Sequence, residues 1–269
     1  MSHVYPAARG HPPLTALEEI RLEVGAGEVV VVLGPSGCGK STLLNLIAGL
    51  IRPTSGTIAF VGERADPGRP LTAVVFQEFA LFPWRTVLGN VGFGLECLRL
   101  APGEARERAR QAIRLVGLEG FTDKYPHELS GGMKQRAAMA RALAVDPVLL
   151  LLDEPLSALD AQTRTLLQGE LMKLWAATGK SFFHVTHNIE EAVFLAHRIV
   201  VLSRRPGRIR EIVPVGLPHP RDEGVRLLPA FAATVAHCWG LIRDEAQAAL
   251  LAPEAAPWES PRRAGAGEP

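Results

Sequence analysis

Gly34-Pro35-Ser36-Gly37-Cys38-Gly39-Lys40-Ser41 constrains this chain more than any other stretch. It follows the unbroken apolar run Val29 to Leu33 and opens a segment, Ser41 to Leu50, whose apolar spacing is helical and stops at Gly49. A continuous β-branched run suits a parallel strand covered on both faces. Triphosphates need several N–H donors aimed at one point; glycines permit that backbone path, and the following helix adds its positive end. Gly34, Pro35, Ser36, Gly37, Cys38, Gly39, Lys40, Ser41 and Thr42 are therefore expected to cradle a nucleoside triphosphate. Lys40 is placed to reach the β- and γ-phosphates and the Ser41 hydroxyl to ligate Mg²⁺. At a helix end, the Cys38 thiolate is expected to be favoured.

Val148 to Leu152 repeats the buried-strand pattern and ends in Asp153 and Glu154. Ligands bind at the carboxyl edge of parallel sheets. There Asp153 would hold Mg²⁺ through water, and Glu154 would act as general base on the attacking water. Further strands are expected at Leu22 to Val24, Thr57 to Phe60, Ala73 to Phe76, Ser181 to Val185 and Ile199 to Leu202. Helices are expected at Glu104 to Val116, Leu166 to Thr178 and Ile189 to His197. This alternation implies a layered α/β protein with a helical insertion between about 81 and 141. Residues 221 to 251 read as an appended helical segment, and 252 to 269, rich in Ala, Pro, Gly and charge, as a disordered tail.

Composition excludes other classes. With 29 Lys and Arg against 28 Asp and Glu in 269 residues, bulk charge gives no reason to expect nucleic-acid binding. The apolar runs fall far short of the ~20 residues of a membrane span. The first ten residues lack a cationic start followed by an apolar stretch, so no signal peptide is expected. The three cysteines, Cys38, Cys97 and Cys238, form no CxxC pair, which suits a reducing compartment and argues against a disulfide scaffold or zinc site.

Leu129-Ser130-Gly131-Gly132-Met133-Lys134-Gln135-Arg136 resembles the LSGGQ signature of the ATP-binding-cassette (ABC) family. The order also matches: phosphate loop, Gln77, signature, Asp153-Glu154, Ser157-Ala158-Leu159-Asp160, then His187. The resemblance covers about residues 4 to 215. Val75-Phe76-Gln77, Leu81 to Val87 and Leu202 to Arg208 are similar to importer ATPases for nitrate, sulfonate and taurine. The fold implied is that of a P-loop ATPase over residues 1 to 220, with a mainly parallel sheet, a β-rich N-terminal subdomain and a helical subdomain.

What the resemblance implies is an ATPase that energises a membrane importer, with ATP and Mg²⁺ as its ligands. Two copies would bind head to tail as a homodimer, each ATP held between one phosphate loop and the other copy's Ser130, Gly131 and Gly132. Gln77 would touch Mg²⁺ and the attacking water, His187 would bond the γ-phosphate and hold the water of Glu154, and Asp160 would bridge the two halves. Integral-membrane permease subunits would dock on the helical insertion, with an extracytoplasmic or periplasmic solute-binding protein as indirect partner. The chain would then sit peripherally on the cytoplasmic face of the cell membrane.

Tyr5 resembles the residue that stacks on adenine, with His11 as its competitor across a segment, Ala7 to Leu14, longer than usual. The chain starts almost at Tyr5, which implies a short first strand or a start further upstream. Met133 stands where the signature most often has Gln, and Asn188 where Asp is common after the histidine. The other histidines read as surface or core residues; Glu190, Glu191, Arg204 and Arg205 read as solvated charges. An importer of another class remains an alternative. A small-molecule kinase would have no use for Leu129 to Met133, and a chromosome or ribosome clamp would carry a long coiled coil or two cassettes.

Overall fold

The computed structural model describes residues 1–7, 12–62 and 69–251, with side chains described as far as residue 243. Eight strands and seven α-helices are present among them. Strands β1 (His3–Tyr5) and β2 (Leu14–Leu17) form a small antiparallel pair. The main sheet has six strands. Its members are β3 (Val29–Leu33), β4 (Thr72–Val75), β5 (Leu149–Asp153), β6 (Ser181–Val185), β7 (Arg198–Leu202) and β8 (Ile209–Pro214). Their order is β4-β5-β6-β3-β7-β8, parallel throughout except for β8, which runs antiparallel to β7.

The apolar run Val29 to Leu33 is explained by its place at the middle of this sheet. Val29, Val31 and Leu33 face one core, and Val30 and Val32 face the other. Fully burying each such side chain contributes roughly 1.5–3 kcal/mol. The second core is closed by α1 (Lys40–Ile47), which begins at the residue after Gly39. Gly39 has φ +106°, and a Cβ there would stand 2.7 Å from Leu17 Cδ2 and 2.9 Å from Ala16 O. Only glycine lets the loop turn into the helix this close to β2.

The first core is larger. It takes in the helical insertion α2 (Val87–Cys97), α3 (Pro102–Leu115) and α4 (Gly131–Ala144), together with α5 (Ala161–Thr178) and α6 (Ile189–Leu195). The insertion is therefore packed against the sheet as well as on itself. Buried Asn90 ties its entry loop down: its side chain bonds Phe82 N and the carbonyls of Phe82, Arg85 and Thr86. Arg141 on α4 donates to the carbonyls of Phe79 and Ala80, linking α4 to the segment that follows β4.

Several expectations need correction. Leu22 to Val24 and Thr57 to Phe60 are not strands. Leu22, Val24, Ile58 and Phe60 pack against the second core. Their alternation marked burial, not ladder pairing. The helical insertion begins at Val87 rather than Leu81. Helix α5 starts at Ala161, five residues before the apolar pattern at Leu166, because Asp160 caps it by accepting from Thr163 N at 2.9 Å. Strand β8 was hidden by its charged residues Arg210 and Glu211.

The chain after β8 is built into the core. Buried Arg221 donates to the carbonyls of Val193, Phe194 and Ala196 at the end of α6, and to those of Val215 and Leu217. Burial lowers its pKa to about 10, so it stays charged at neutral pH. A short 3₁₀ turn (Glu223–Leu227) and α7 (Pro229–Leu251) follow. The tail expected to be disordered, 252–269, and His11 lie outside the described residues. No helix among the described residues is long and apolar enough to cross a membrane.

Candidate active site

The strand register brings the scattered motifs to one edge. Val75 pairs with Leu152, and Asp153 with Val185; Val32 also pairs with Val185. Gln77, Asp153-Glu154, His187 and Gly34 therefore follow the ends of four neighbouring parallel strands, where side chains can converge on a ligand.

Lys40 is almost fully buried, and its Nζ donates to Gly34 O at 2.8 Å and Pro35 O at 3.0 Å. The ammonium is thus held inside the loop by two carbonyls. Ser41 Oγ lies 3.4 Å from Asp153 Oδ1, so the hydroxyl of the loop and the carboxylate of β5 face one point. Burial, and next the negative charge of Glu154, hold the Asp153 carboxyl above its ordinary range. A divalent cation would relieve both effects, and the donors offered are hard oxygens that suit Mg²⁺. Gln77 is exposed beyond the end of β4.

Glu154 Oε2 and His187 Nδ1 are 2.9 Å apart, with the histidine side chain 61% exposed and the carboxylate 21%. Glu154 adopts φ +46°, a left-handed backbone uncommon for a residue with a side chain. Three hydrogen bonds fix that turn: Glu154 N to Val185 O, and Ser157 N and Oγ to Glu154 O. Tyr5 OH lies 3.2 Å from Thr42 Oγ1, which brings the tip of β1 to the first turn of α1.

Ser130, Gly131 and Gly132 are not joined to the phosphate loop within the chain. Ser130 is exposed and caps α4, its Oγ accepting from Met133 N at 3.3 Å. A Cβ on Gly131 would stand 3.2 Å from Leu159 Cδ2, and one on Gly132 equally close to Thr163 Cγ2. The start of α4 thus rests on the Ser157-Ala158-Leu159-Asp160 turn. The exposed Asp160 carboxyl is held below its ordinary value, first by the bond from Thr163 N. Met133 contributes to the core. Asn188 caps α6, its Oδ1 accepting from Glu191 N at 3.0 Å, the task an Asp would perform there.

Three readings are corrected. Cys38 is 1% exposed, and burial pushes its thiol up despite the nearby Lys40 and Arg205 charges, so the expected thiolate is not favoured. Glu191 is not a solvated charge: it is buried against His184 Nε2 at 2.5 Å and Gln168 Nε2 at 3.3 Å. Arg205 reaches the phosphate loop and donates from Nε to Gly37 O at 3.2 Å. Its turn follows β7, the strand beside β3, and that adjacency was the signal that could have revealed the contact.

Residues 17–157 match the family model described as ABC transporter. An uncharacterized ABC transporter ATP-binding protein of Methanocaldococcus jannaschii is 54% identical over 77% of this chain and 78% of its own length. The taurine import ATP-binding protein TauB of Escherichia coli is 50% identical over 80% of this chain and 83% of its own. Among solved structures, a dimeric ATP-binding cassette in a post-hydrolysis state with ADP and Pi superposes with TM-score 0.67 at 34% identity, covering 81% of this chain and 97% of that one.

Proposed function

This chain belongs to the ABC transporter family, and on that premise we propose that it is the ATP-hydrolysing subunit of an importer for taurine or a similar small sulfonate. One observation carries the catalytic part: Glu154 faces His187 at 2.9 Å, at the sheet edge where Lys40, Ser41 and Asp153 meet. In this reading Glu154 takes the proton of the water that attacks the γ-phosphorus, and ADP and inorganic phosphate leave. His187 holds the carboxylate toward that water and reaches the γ-phosphate with its other ring nitrogen. Gly34 to Thr42 bind the phosphates, Lys40 leaving its two carbonyls for them, and Tyr5 lies beside the base.

Ser41, Gln77 and Asp153 are the candidate metal-contacting residues, and Mg²⁺ when bound would offset the charge of the phosphate oxygens. Among the described residues no three His, Cys, Asp or Glu side chains are grouped to hold a metal alone. Such a site suits an ion that arrives with the substrate's phosphates.

The exposed Ser130 at the start of α4 supports a second-copy role. Its hydroxyl and the amides of Gly131 and Gly132 would meet the γ-phosphate bound to the partner protomer, with Asp160 and its turn positioning α4. The helical insertion would then meet the permease, and a solute-binding protein would select the cargo on the other side of the membrane. In this reading the chain sits peripherally on the cytoplasmic face.

The sulfonate assignment rests on the TauB relatives, and the test is direct. Purified with its permease and binding protein, the complex should release phosphate faster when taurine is added than with nitrate or sulfate. Stimulation by an unrelated solute and not by any sulfonate would reject the cargo while leaving the ATPase intact.

A further inference from the structure

Beyond the phosphate loop itself, a second turn lies directly on it. Between β7 and β8, Ser203 to Arg208 close a tight loop in which Ser203 N donates to Arg208 O at 2.9 Å and Arg208 N to Ser203 Oγ at 3.1 Å. Ser203 Oγ is also 3.2 Å from Pro206 O. The turn is thus braced from within. Gly207 N donates to Ala16 O, and Glu18 N to Gly207 O, both at 2.9 Å, while Arg208 pairs with Glu18 at 2.8 Å. These bonds fasten it to β2, beneath the start of α1.

The contact with the phosphate loop is backbone on backbone. A Cβ on Gly207 would stand 2.1 Å from Cys38 O, which no side chain could tolerate. Two residues earlier, Arg205 reaches the next carbonyl of the same loop, Gly37 O. A phosphate-binding loop aims its N–H groups inward, so its carbonyls must find donors elsewhere. Here one of them takes a guanidinium. Beneath the turn, the Cys38 side chain is sealed, with Sγ so near Gly34 that a Cβ there would come within 2.7 Å.

We propose that Arg205 is a positioning residue for nucleotide, clasping the outer face of the phosphate loop through Gly37 O while Gly207 seats the turn on Cys38. The clasp holds the loop curled before the triphosphate arrives, so less ordering is left for binding to supply. The guanidinium also adds positive charge at the rim of a site built for a polyanion. The inference rests on the ATPase reading above, and its test has an arm that does not depend on activity.

The full chain, carrying Cys97→Ser to silence the exposed thiol, is compared with the same chain carrying Arg205→Ala or Arg205→Lys. Loss of one hydrogen bond's net worth should weaken Mg–ATP binding about 5- to 10-fold with kcat within about twofold, and Lys should recover most of it. Independently, labelling of Cys38 by a disulfide reagent without nucleotide, located by mass spectrometry, should speed up about tenfold in Arg205→Ala as the loop opens more often. Wild-type affinity or unchanged Cys38 labelling in a folded Arg205→Ala protein would overturn the clasp. So would a loss confined to kcat, or a Lys variant no better than Ala. A parent chain that binds no ATP would instead sink the ATPase reading, and the labelling arm would still judge the contact.

Discussion

Two histidines three residues apart along the chain each meet a glutamate, and the two pairs are built to opposite specifications. His184 and Glu191 are sealed in the core at 2.5 Å, the histidine wholly buried. His187 and Glu154 meet at 2.9 Å on the sheet edge, the histidine 61% exposed. An ionised carboxylate only accepts, so each histidine must present an N–H to its partner: Nε2 in the buried pair, Nδ1 in the open one. In the buried pair the second nitrogen, Nδ1 of His184, has no hydrogen-bond partner among the described residues. In the open pair the histidine side chain is left largely exposed to solvent. The same two side chains thus form a buried rivet in one place and, in the function proposed above, a water-accessible couple in the other.

The buried pair is also wired outward. Gln168 bridges Glu191 to Arg226, whose guanidinium lies over the Phe194 ring at 4.4 Å. Burial by itself would raise the Glu191 carboxyl, but the bond and charge of His184, with Gln168 and Arg164, outweigh it and hold Glu191 below its ordinary value. The segment after β8 is therefore joined to the first turn of α6, directly behind the loop that presents His187.

Breaking the open pair at its carboxylate should give the largest effect. Glu154→Gln should slow phosphate release by about 10²- to 10⁴-fold while ATP still binds. Size-exclusion chromatography in saturating ATP should then show a locked dimer. Turnover near wild type would end the case for Glu154 as base.

The equivalent cut in the buried pair should strike stability instead. Glu191→Ala strands His184 in the core, and urea unfolding should register a loss of about 3–5 kcal/mol. Replacing both members with leucine should restore part of that, since His184 is then no longer stranded although buried Gln168 still loses its acceptor. A single variant that unfolds like wild type would erase the contrast.

His187→Ala separates the roles from the other side. Hydrolysis should fall about 10- to 100-fold through lost positioning, while the unfolding free energy from urea titration moves by no more than about 0.5 kcal/mol, as for other exposed substitutions. A large stability loss would show that this histidine, too, is structural.

The smallest effect is in acid. Because the folded-state pKa of Glu191 is depressed below 4.5, its contribution is present above that value and lost as pH falls through the folded one. Between about pH 5 and pH 3.5, wild type should lose stability faster than Glu191→Gln. Parallel curves would show that the pair does not titrate on unfolding.

The fold was legible where physics is local or strongly periodic. Val29 to Leu33 and Ser181 to Val185 are the strands their apolar runs announce, and Gly34 to Ser41 joins a strand to a helix as its glycines require. Legibility failed where apolar alternation meant packing without pairing, at Leu22 to Val24 and Thr57 to Phe60. It failed again where a cap outranked the apolar pattern, at Asp160. Within the site, Lys40, Ser41, Asp153, Glu154 and His187 carry motifs and meet at one edge. Glu191 and Cys38 misled because charge and chemistry alone do not reveal depth, and the exposed Arg205 because they do not reveal a contact across the fold. Arg205 owes its environment to distant Gly37, and Cys38 to distant Leu202, whose Cβ lies 3.3 Å from a Cβ placed on Gly34 beside the buried sulfur, while Glu191 pairs with His184 only seven residues back.

The left-handed twist of the backbone at Glu154 has a practical corollary. A residue with a side chain held there forfeits roughly 1 kcal/mol or more, which Gly or Asn would largely recover. Laboratory evolution driven by heat tolerance alone would thus drift toward Glu154→Gly or Glu154→Asn, harvesting sturdy proteins that no longer turn over. Any such campaign on this scaffold should screen for released phosphate in every round.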